Sequence, residues 1–335
     1  MKFKKLMKYL NLFTAYIFAK CSNTTPFVRI IPTDKCNLKC EYCWQHKNSD
    51  LEINEEEYKL IVKKAINLKV GIISFLGGEP LIWRFIYDAI KLCSDMNIIT
   101  DITTNGTLLN KESIMRLSEN GLDFLNISVD GVTTVKNLKC IEKNIEYLRI
   151  ARDKYGVKIR VNAVITTKNF DEIMMIIEYL NQYRIPISLG YAMPSLEHKR
   201  MEGEIFFSEQ DKQLIDTIIK YVRTKKKEGY KIIDPIDYFE NIYKYIRREK
   251  FWECNYPGVF GWINVIGGCK IRSCTKKMDE LNYSYLDLNS KKIKELKLLL
   301  LEMTKECNKK CYSNCAYDSY YYKNNKIKLF KKLLN

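Results

Sequence analysis

Cys36, Cys40 and Cys43, within the stretch CNLKCEYC, are the residues of this chain most clearly suited to chemistry. Thiolates so closely spaced suit a soft metal, either zinc or an iron–sulfur cluster. A structural zinc wants a fourth ligand, and His46, three residues past Cys43, is the candidate. A four-iron cluster on three thiolates instead leaves one iron with an open position, where a substrate or cofactor can bind. Six further cysteines, Cys254, Cys269, Cys274, Cys307, Cys311 and Cys315, fall between residues 251 and 318. A zinc-ribbon-like structural site is the plain alternative for that segment.

The elements that must position these thiols can be read from pattern. β-rich runs at 27–31, 70–76, 97–104, 122–129, 157–165 and 185–192 alternate with helical patterns at 55–68, 81–96, 110–119, 134–155 and 169–183. Asn54 with Glu57 three residues on predicts a capping box for the first of these helices. Strand-then-helix repetition implies parallel strands with right-handed crossovers, in a doubly wound sheet or an incomplete barrel. Both arrangements gather ligands at the carboxyl ends of the strands. The cysteine triad follows the first run, GGEP (77–80) the second, TNG (104–106) the third and SVDG (128–131) the fourth. Four motifs distant in sequence thus share one sheet edge and describe a single site.

The predicted division is an N-terminal amphipathic helix (1–25), an α/β domain (26–205), a helical linker (206–250), a Cys-rich domain (251–318) and a basic tail (319–335). In the N-terminal stretch Lys8 and Asn11 interrupt the apolar run, and Lys20 sits where a signal sequence would place a small residue. Leu6, Leu10, Phe13 and Ile17 recur at helical spacing and predict the face packed on the body. No run reaches about 18 apolar residues, so no membrane span or membrane partner is expected, and the reading is cytoplasmic with reduced thiols. The 335 residues, 46% of them apolar, describe an enzyme-sized folded chain, and twelve cysteines in it suggest metal or redox work more than disulfides. The net charge of +16 would suit nucleic acid, an anionic membrane surface or an acidic peptide. Lysine far outnumbers arginine, and the runs RTKKKEG (223–229) and KNNKIKLFKKLLN (323–335) read as solvated helix faces.

With aromatic Tyr42 before the last cysteine, the triad resembles the CX3CXΦC signature of the radical S-adenosylmethionine enzymes, and the later motifs follow in that family's order. The resemblance implies α/β architecture as a partial (β/α)6 barrel of TIM type with a small Cys-rich C-terminal domain. It implies a [4Fe-4S] cluster on Cys36, Cys40 and Cys43, with S-adenosylmethionine on the open iron. Reductive cleavage of that cofactor gives a 5′-deoxyadenosyl radical that abstracts hydrogen from a substrate. Carried over by position, Gly77 and Gly78 would leave the backbone unobstructed at the methionine end and Glu79 would accept from the ammonium. Pro80 would stiffen the turn, and Thr104, Asn105, Ser128 and Asp130 would help hold the carboxylate and ribose. Tyr42 would place the backbone that meets the adenine.

The later cysteines resemble the auxiliary-cluster module of many such enzymes, called SPASM or, when shorter, twitch. Cys254 with Gly258, then Cys274, fits its first part, and Cys311 with Cys315 its last. The usual CX2CX5C stretch and a seventh cysteine are missing, leaving CNKKCYSNC (307–315). The resemblance therefore implies one auxiliary [4Fe-4S] cluster, with Cys254 and Cys274 joined by two of Cys307, Cys311 and Cys315, and Cys269 spare. After SVDG the chain reads VTTVKNLKC where many members carry a His-Asp and Arg-containing stretch. Cys140, Cys93, Cys21 and Cys269 are the candidates, by elimination, for a thiol that returns hydrogen to a substrate radical. Members with auxiliary clusters commonly modify ribosomally made peptides by crosslinking, epimerisation or oxidation, which is the leading expectation. A dehydrogenase or epimerase of a sugar or aminocyclitol is the alternative, ahead of an RNA-modifying enzyme or a non-catalytic iron–sulfur protein. A reducing partner such as flavodoxin or ferredoxin is implied.

Overall fold

The computed structural model describes residues 2–21, 25–43, 51–193, 205–249, 253–259, 262–274, 279–307 and 311–322. His46 and the tail from 323 onward lie outside the described residues, as does the side chain of Cys21. In chain order the elements are α1 (Lys2–Cys21), β1 (Phe27–Ile30), α2 (Glu55–Asn67), β2 (Ile72–Phe75), α3 (Ile86–Asp95), β3 (Ile99–Thr104) and α4 (Lys111–Glu119). Then follow β4 (Phe124–Ser128), α5 (Lys139–Glu142), α6 (Ile145–Asp153), β5 (Lys158–Ile165), α7 (Phe170–Gln182) and β6 (Ile187–Tyr191). The C-terminal part holds α8 (Lys212–Lys227), α9 (Ile236–Glu240), α10 (Ile242–Ile246), α11 (Tyr256–Val259), β7 (Ile263–Val265), β8 (Lys270–Arg272), β9 (Glu280–Ser284), α12 (Ser290–Cys307) and α13 (Asn314–Tyr321).

All six predicted strands form, and β1 to β6 pair in parallel in sequence order. A doubly wound sheet reverses its strand order at a switch point; this one runs 6-5-4-3-2-1 without reversal. The arrangement is therefore a partial barrel. The predicted capping box is present: Glu57 N–H donates to Asn54 Oδ1 at 3.0 Å, and Asn54 N–H to Glu57 Oε2 at 2.9 Å. The single helix expected over 134–155 is broken into α5 and α6 around Asn144, whose amide donates to the Leu109 and Cys140 carbonyls at 2.9 Å each.

The C-terminal part is continuous with the barrel sheet. β7 pairs parallel to the free edge of β1, with Val28 opposite Ile263, and antiparallel β8 and β9 extend the sheet beyond it. At the other edge, Asn314 of α13 donates to the Leu189 carbonyl of β6 at 2.8 Å and to Asp234 at 2.9 Å. The Cys-rich part thus spans the side that six strands leave open. The segment expected as a linker is helical but packed: Ile215, Ile218 and Val222 are fully buried, and residues 231–233 bond to Ile187 on the outer edge of β6. The basic run of α8 is likewise not a solvated face throughout. Lys226 donates to the Ile232 and Asp234 carbonyls at 2.6 and 2.8 Å, and Lys225 pairs with Glu178 at 2.8 Å.

α1 lies across the amino ends of the strands, with the opposite face inward from the one predicted. Leu12 and Ala15 are fully buried, and a Cβ at Gly71, just before β2, would come within 2.8 Å of Leu12. Lys8, buried beside them, pairs with Asp123 at 2.6 Å and donates to the Gly121 carbonyl at 2.9 Å. Lys5 and Asn11 donate to the carbonyls of Gly156 and Asn97. Leu6, Leu10, Phe13 and Ile17 point to solvent. The apolar period fixed the helix but not its inward face: backbone carbonyls at strand starts, which pattern does not reveal, recruit Lys8 and Asn11.

Candidate active site

The cysteine triad sits on the loop after β1, and its neighbours come from the carboxyl ends of β2, β3 and β4, as expected. Gly78 N–H donates to the Thr33 carbonyl at 3.1 Å and Glu79 N–H to the Lys35 carbonyl at 2.8 Å, immediately before Cys36. A Cβ on Gly78 would lie 2.0 Å from the Lys35 oxygen, and Gly77 has φ +138 with Thr33 O and Ile31 against it. The space that a Cβ would need at both glycines is filled by the cysteine loop. Their absent side chains let two backbones lie in register.

Glu79 is fully buried and accepts three hydrogen bonds from three neighbours. Its Oε1 accepts from Thr104 Oγ1 at 2.7 Å and Leu81 N–H at 3.0 Å, and its Oε2 from Asn105 N–H at 2.7 Å. It ties the end of β2 to the end of β3, and it also caps the short helical turn that begins at Pro80. Burial raises its pKa in spite of these donors. Asn105 then reaches the loop, donating to Asn37 Oδ1 at 2.8 Å and lying 3.8 Å from Cys36 Sγ. Leu38 N–H donates to the same sulfur at 3.4 Å.

On the other side, Tyr42 donates its hydroxyl to Asp130 Oδ2, and Lys136 donates to the Tyr42 oxygen at 3.1 Å while standing 3.6 Å from Asp130. Asp130 Oδ1 accepts from Val164 N–H at 2.8 Å, so both of its oxygens are engaged within the protein. Burial, then Asp130, raises the Tyr42 pKa far above its usual value. Burial opposes a charged Lys136, but Asp130, Tyr42 and the Cys40 thiol outweigh it and raise its pKa. Lys136 was not singled out in the sequence; the one available signal was its place in VTTVKNLKC, where the expected pattern breaks off. Ser128 is half-buried at the end of β4, opposite Asn162 of β5.

The loop fits an iron–sulfur cluster. Its donors are three half-buried thiols, and Cys36 receives N–H groups from Leu38 and Asn105. Among the described residues no three His, Cys, Asp or Glu side chains close around a point that one metal ion would fill.

Below the loop, the barrel interior holds a cavity of about 290 Å³. Alternate strand residues face it, among them Arg29, Asp101, Asn126 and Arg160, and the C-terminal part adds Trp262, Cys315 and Asp318. Asp101 accepts from Ser74 Oγ at 2.5 Å and Asn126 Nδ2 at 2.7 Å. The Arg29 guanidinium lies 3.4 Å from the centre of the Trp262 ring, and the two form a shared wall with a second cavity. Cys254, Cys274, Cys307, Cys311 and Cys315 all line that second cavity. Cys269 does not; it sits at positive φ on a turn beside Glu57, its pKa pushed up to about 11 by burial. Cys93 is fully buried near Lys8 and Asp123, at the opposite end of the strands from the triad, so it cannot serve a radical at the mouth. Cys140 is packed beneath Gly106, and burial raises its pKa to about 11.

Comparison with known proteins agrees with this geometry. The chain is 31% identical over 277 residues to GTP 3',8-cyclase of Clostridium perfringens (strain SM101 / Type A), covering 75% of this chain and 76% of the cyclase. It is 26% identical over 207 residues to Fe-coproporphyrin III synthase of Methanosarcina barkeri, covering 59% of this chain and 52% of the synthase. Its fold is similar to that of native anSMEcpe with bound AdoMet, with a TM-score of 0.62 and 19% identity over 91% of this chain and 96% of that one. It is also similar to Streptococcus suis SuiB bound to precursor peptide SuiA, with a TM-score of 0.59 and 16% identity over 86% and 68% of the two chains. Residues 30–205, just over half of the chain, match the Radical SAM superfamily. This protein belongs to that superfamily and is one of its enzymes.

Proposed function

We propose that this enzyme reductively cleaves S-adenosylmethionine at a [4Fe-4S] cluster held by Cys36, Cys40 and Cys43 and modifies a ribosomally made peptide. The observation that carries the reading is the placement of the triad and the β2, β3 and β4 ends at the mouth of a partial barrel whose interior cavity carries Arg29, Asp101, Asn126 and Arg160. When bound, the cluster supplies an electron and an open iron for the cofactor.

The chain's own residues order the site. Gly77 and Gly78 let the cysteine loop seat, Glu79 fixes the ends of β2 and β3 with Thr104, and Pro80 starts the turn behind them. Asn105 steadies Asn37 and Cys36, while Asp130 orients Tyr42 and Lys136 beside Cys40. Glu79 and Asp130, with their oxygens engaged within the protein, would act on the cofactor through the backbone they hold, and Ser128 would meet it at the end of β4. An auxiliary cluster would draw on Cys254, Cys274, Cys307, Cys311 and Cys315, behind the Arg29–Trp262 wall.

Structures of anSMEcpe with Cp18Cys peptide and SuiB with SuiA support the peptide reading. A cavity near 290 Å³ takes one side chain of such a peptide. The cyclase relative favours a second reading, a nucleotide or other small polar molecule among Arg29, Arg160 and Asp101. Anaerobic incubation with S-adenosylmethionine and a low-potential reductant separates the two. A mass change in a peptide encoded beside the gene, matched to 5′-deoxyadenosine released, supports the first; turnover of GTP with no peptide change replaces it with the second.

A further inference from the structure

Among the described residues, the outward face of α1 is the largest run of exposed apolar side chains on a single element. Leu6, Met7, Leu10, Phe13, Ile17 and Phe18 are 55%, 37%, 49%, 55%, 45% and 44% exposed, whereas the other exposed large apolar residues are spread over many elements. Thr14, on the same face, turns its hydroxyl onto the Asn11 carbonyl at 2.8 Å and leaves no polar group seeking a partner. The helix is held firmly from behind by Lys8, Leu12 and Ala15, so the stripe is presented rather than shed. Met96, exposed and next to Asn97, which α1 grips, continues the apolar surface at that end of the barrel.

Charge decides what fits it. α1 contains Lys2, Lys4, Lys5, Lys8 and Lys20 and no acidic residue. A second copy of α1 would set lysines against lysines, and the helix itself brings no carboxylate between them. The apolar arc is also wider than a coiled-coil seam, because Met7 and Phe18 lie beside the Leu6, Leu10, Phe13, Ile17 line. At its edges stand Lys4 and Lys91, which share Asp95, and Lys5 near Lys158. A broad apolar face bordered by lysines is the form of a helix lying in a membrane interface. We propose that α1 docks the enzyme in plane on an anionic lipid surface. Its position at the amino ends of the strands directs the cysteine loop, at the carboxyl ends, away from the lipid and into solvent.

The test is sedimentation of the full, cluster-loaded chain with vesicles of phosphatidylcholine, with and without phosphatidylglycerol. Binding should be more than about tenfold stronger to the anionic vesicles and weaken with salt. The double variant Leu10→Gln and Phe13→Gln should lose more than about tenfold of it, with circular dichroism and uncoupled S-adenosylmethionine cleavage unchanged. Absence of binding, or equal binding by the variant, overturns the proposal. So does a dimer in light scattering that the variant turns into a monomer, which would assign the face to a second copy.

Discussion

Arg272 of β8 meets Asp34 through two parallel N–H···O bonds of 2.9 Å, with both side chains almost wholly buried. Asp34 lies two residues before Cys36, so the C-terminal part clamps the start of the cysteine loop from 238 residues away. Asp34 also sits between Thr33 and Lys35, whose carbonyls receive the GGEP backbone. One ion pair therefore links the three parts of the site: loop, second strand and C-terminal sheet.

Breaking this pair by removing one partner strands a buried charge, at a cost of about 3–5 kcal/mol. Arg272→Met should lower the denaturant midpoint accordingly and reduce iron bound at the triad. Asp34→Asn with Arg272→Met should recover much of the stability, because neither charge is then left alone. If the single variant unfolds like the wild type, the clamp has no role.

Glu79→Gln puts an amide N–H₂ where an oxygen now accepts, opposite Asn105 N–H or Thr104. Loss of one such buried acceptor costs about 1–3 kcal/mol, and S-adenosylmethionine binding should weaken by about tenfold or more. The pH dependence has a fixed sign. Burial raises the Glu79 carboxyl above its ordinary value, so the folded chain holds the proton more tightly. The stability this contributes is present below the ordinary carboxyl range and is lost as pH rises through the raised value. Urea midpoints measured from acid to neutral pH should show that decline in the wild type and not in Glu79→Gln.

Much of the site was legible because its motifs are local. Cys36, Cys40 and Cys43, GGEP, TNG and SVDG each follow a strand, and parallel pairing alone carries them to one edge. Periodicity could not tell a reversing strand order from a sequential one, since that is settled by which strands pair. Roles resting on long-range contacts were also hidden. Gly78 answers to the Lys35 carbonyl, Lys8 to Gly121 and Asp123, and Arg272 to Asp34. The α1 stripe shows the limit most clearly: its spacing marks one apolar face, yet Gly71 and the strand-start carbonyls select the other to face inward.

Lys136 stands beside Cys40, fixed by Tyr42 and Asp130. A cation there favours the thiolate over the thiol and would draw an anionic cluster held by Cys40 toward reduction. Lys136→Met should keep the iron content but lower the midpoint potential of the triad's cluster, read by electron paramagnetic resonance during redox titration. Tyr42→Phe, which leaves Lys136 and Asp130 in place, should move it less. Equal potentials in the Lys136 variant and the wild type would reduce this lysine to a partner of Asp130 alone.

The two groups of thiols should separate in an iron count. Fully reconstituted chain should hold about eight irons if both clusters form, and the triple variant Cys36→Ala, Cys40→Ala and Cys43→Ala about four. That variant should release no 5′-deoxyadenosine. Cys274→Ala or Cys311→Ala should also lose about four irons, yet keep cofactor cleavage without substrate turnover, because their cavity lies behind the Arg29–Trp262 wall. Cys269→Ala, whose thiol faces Glu57 and not that cavity, should lose none. A wild-type count near four that vanishes with the triad would leave the five C-terminal thiols to zinc. About one zinc and little iron throughout would overturn the cluster at the triad itself.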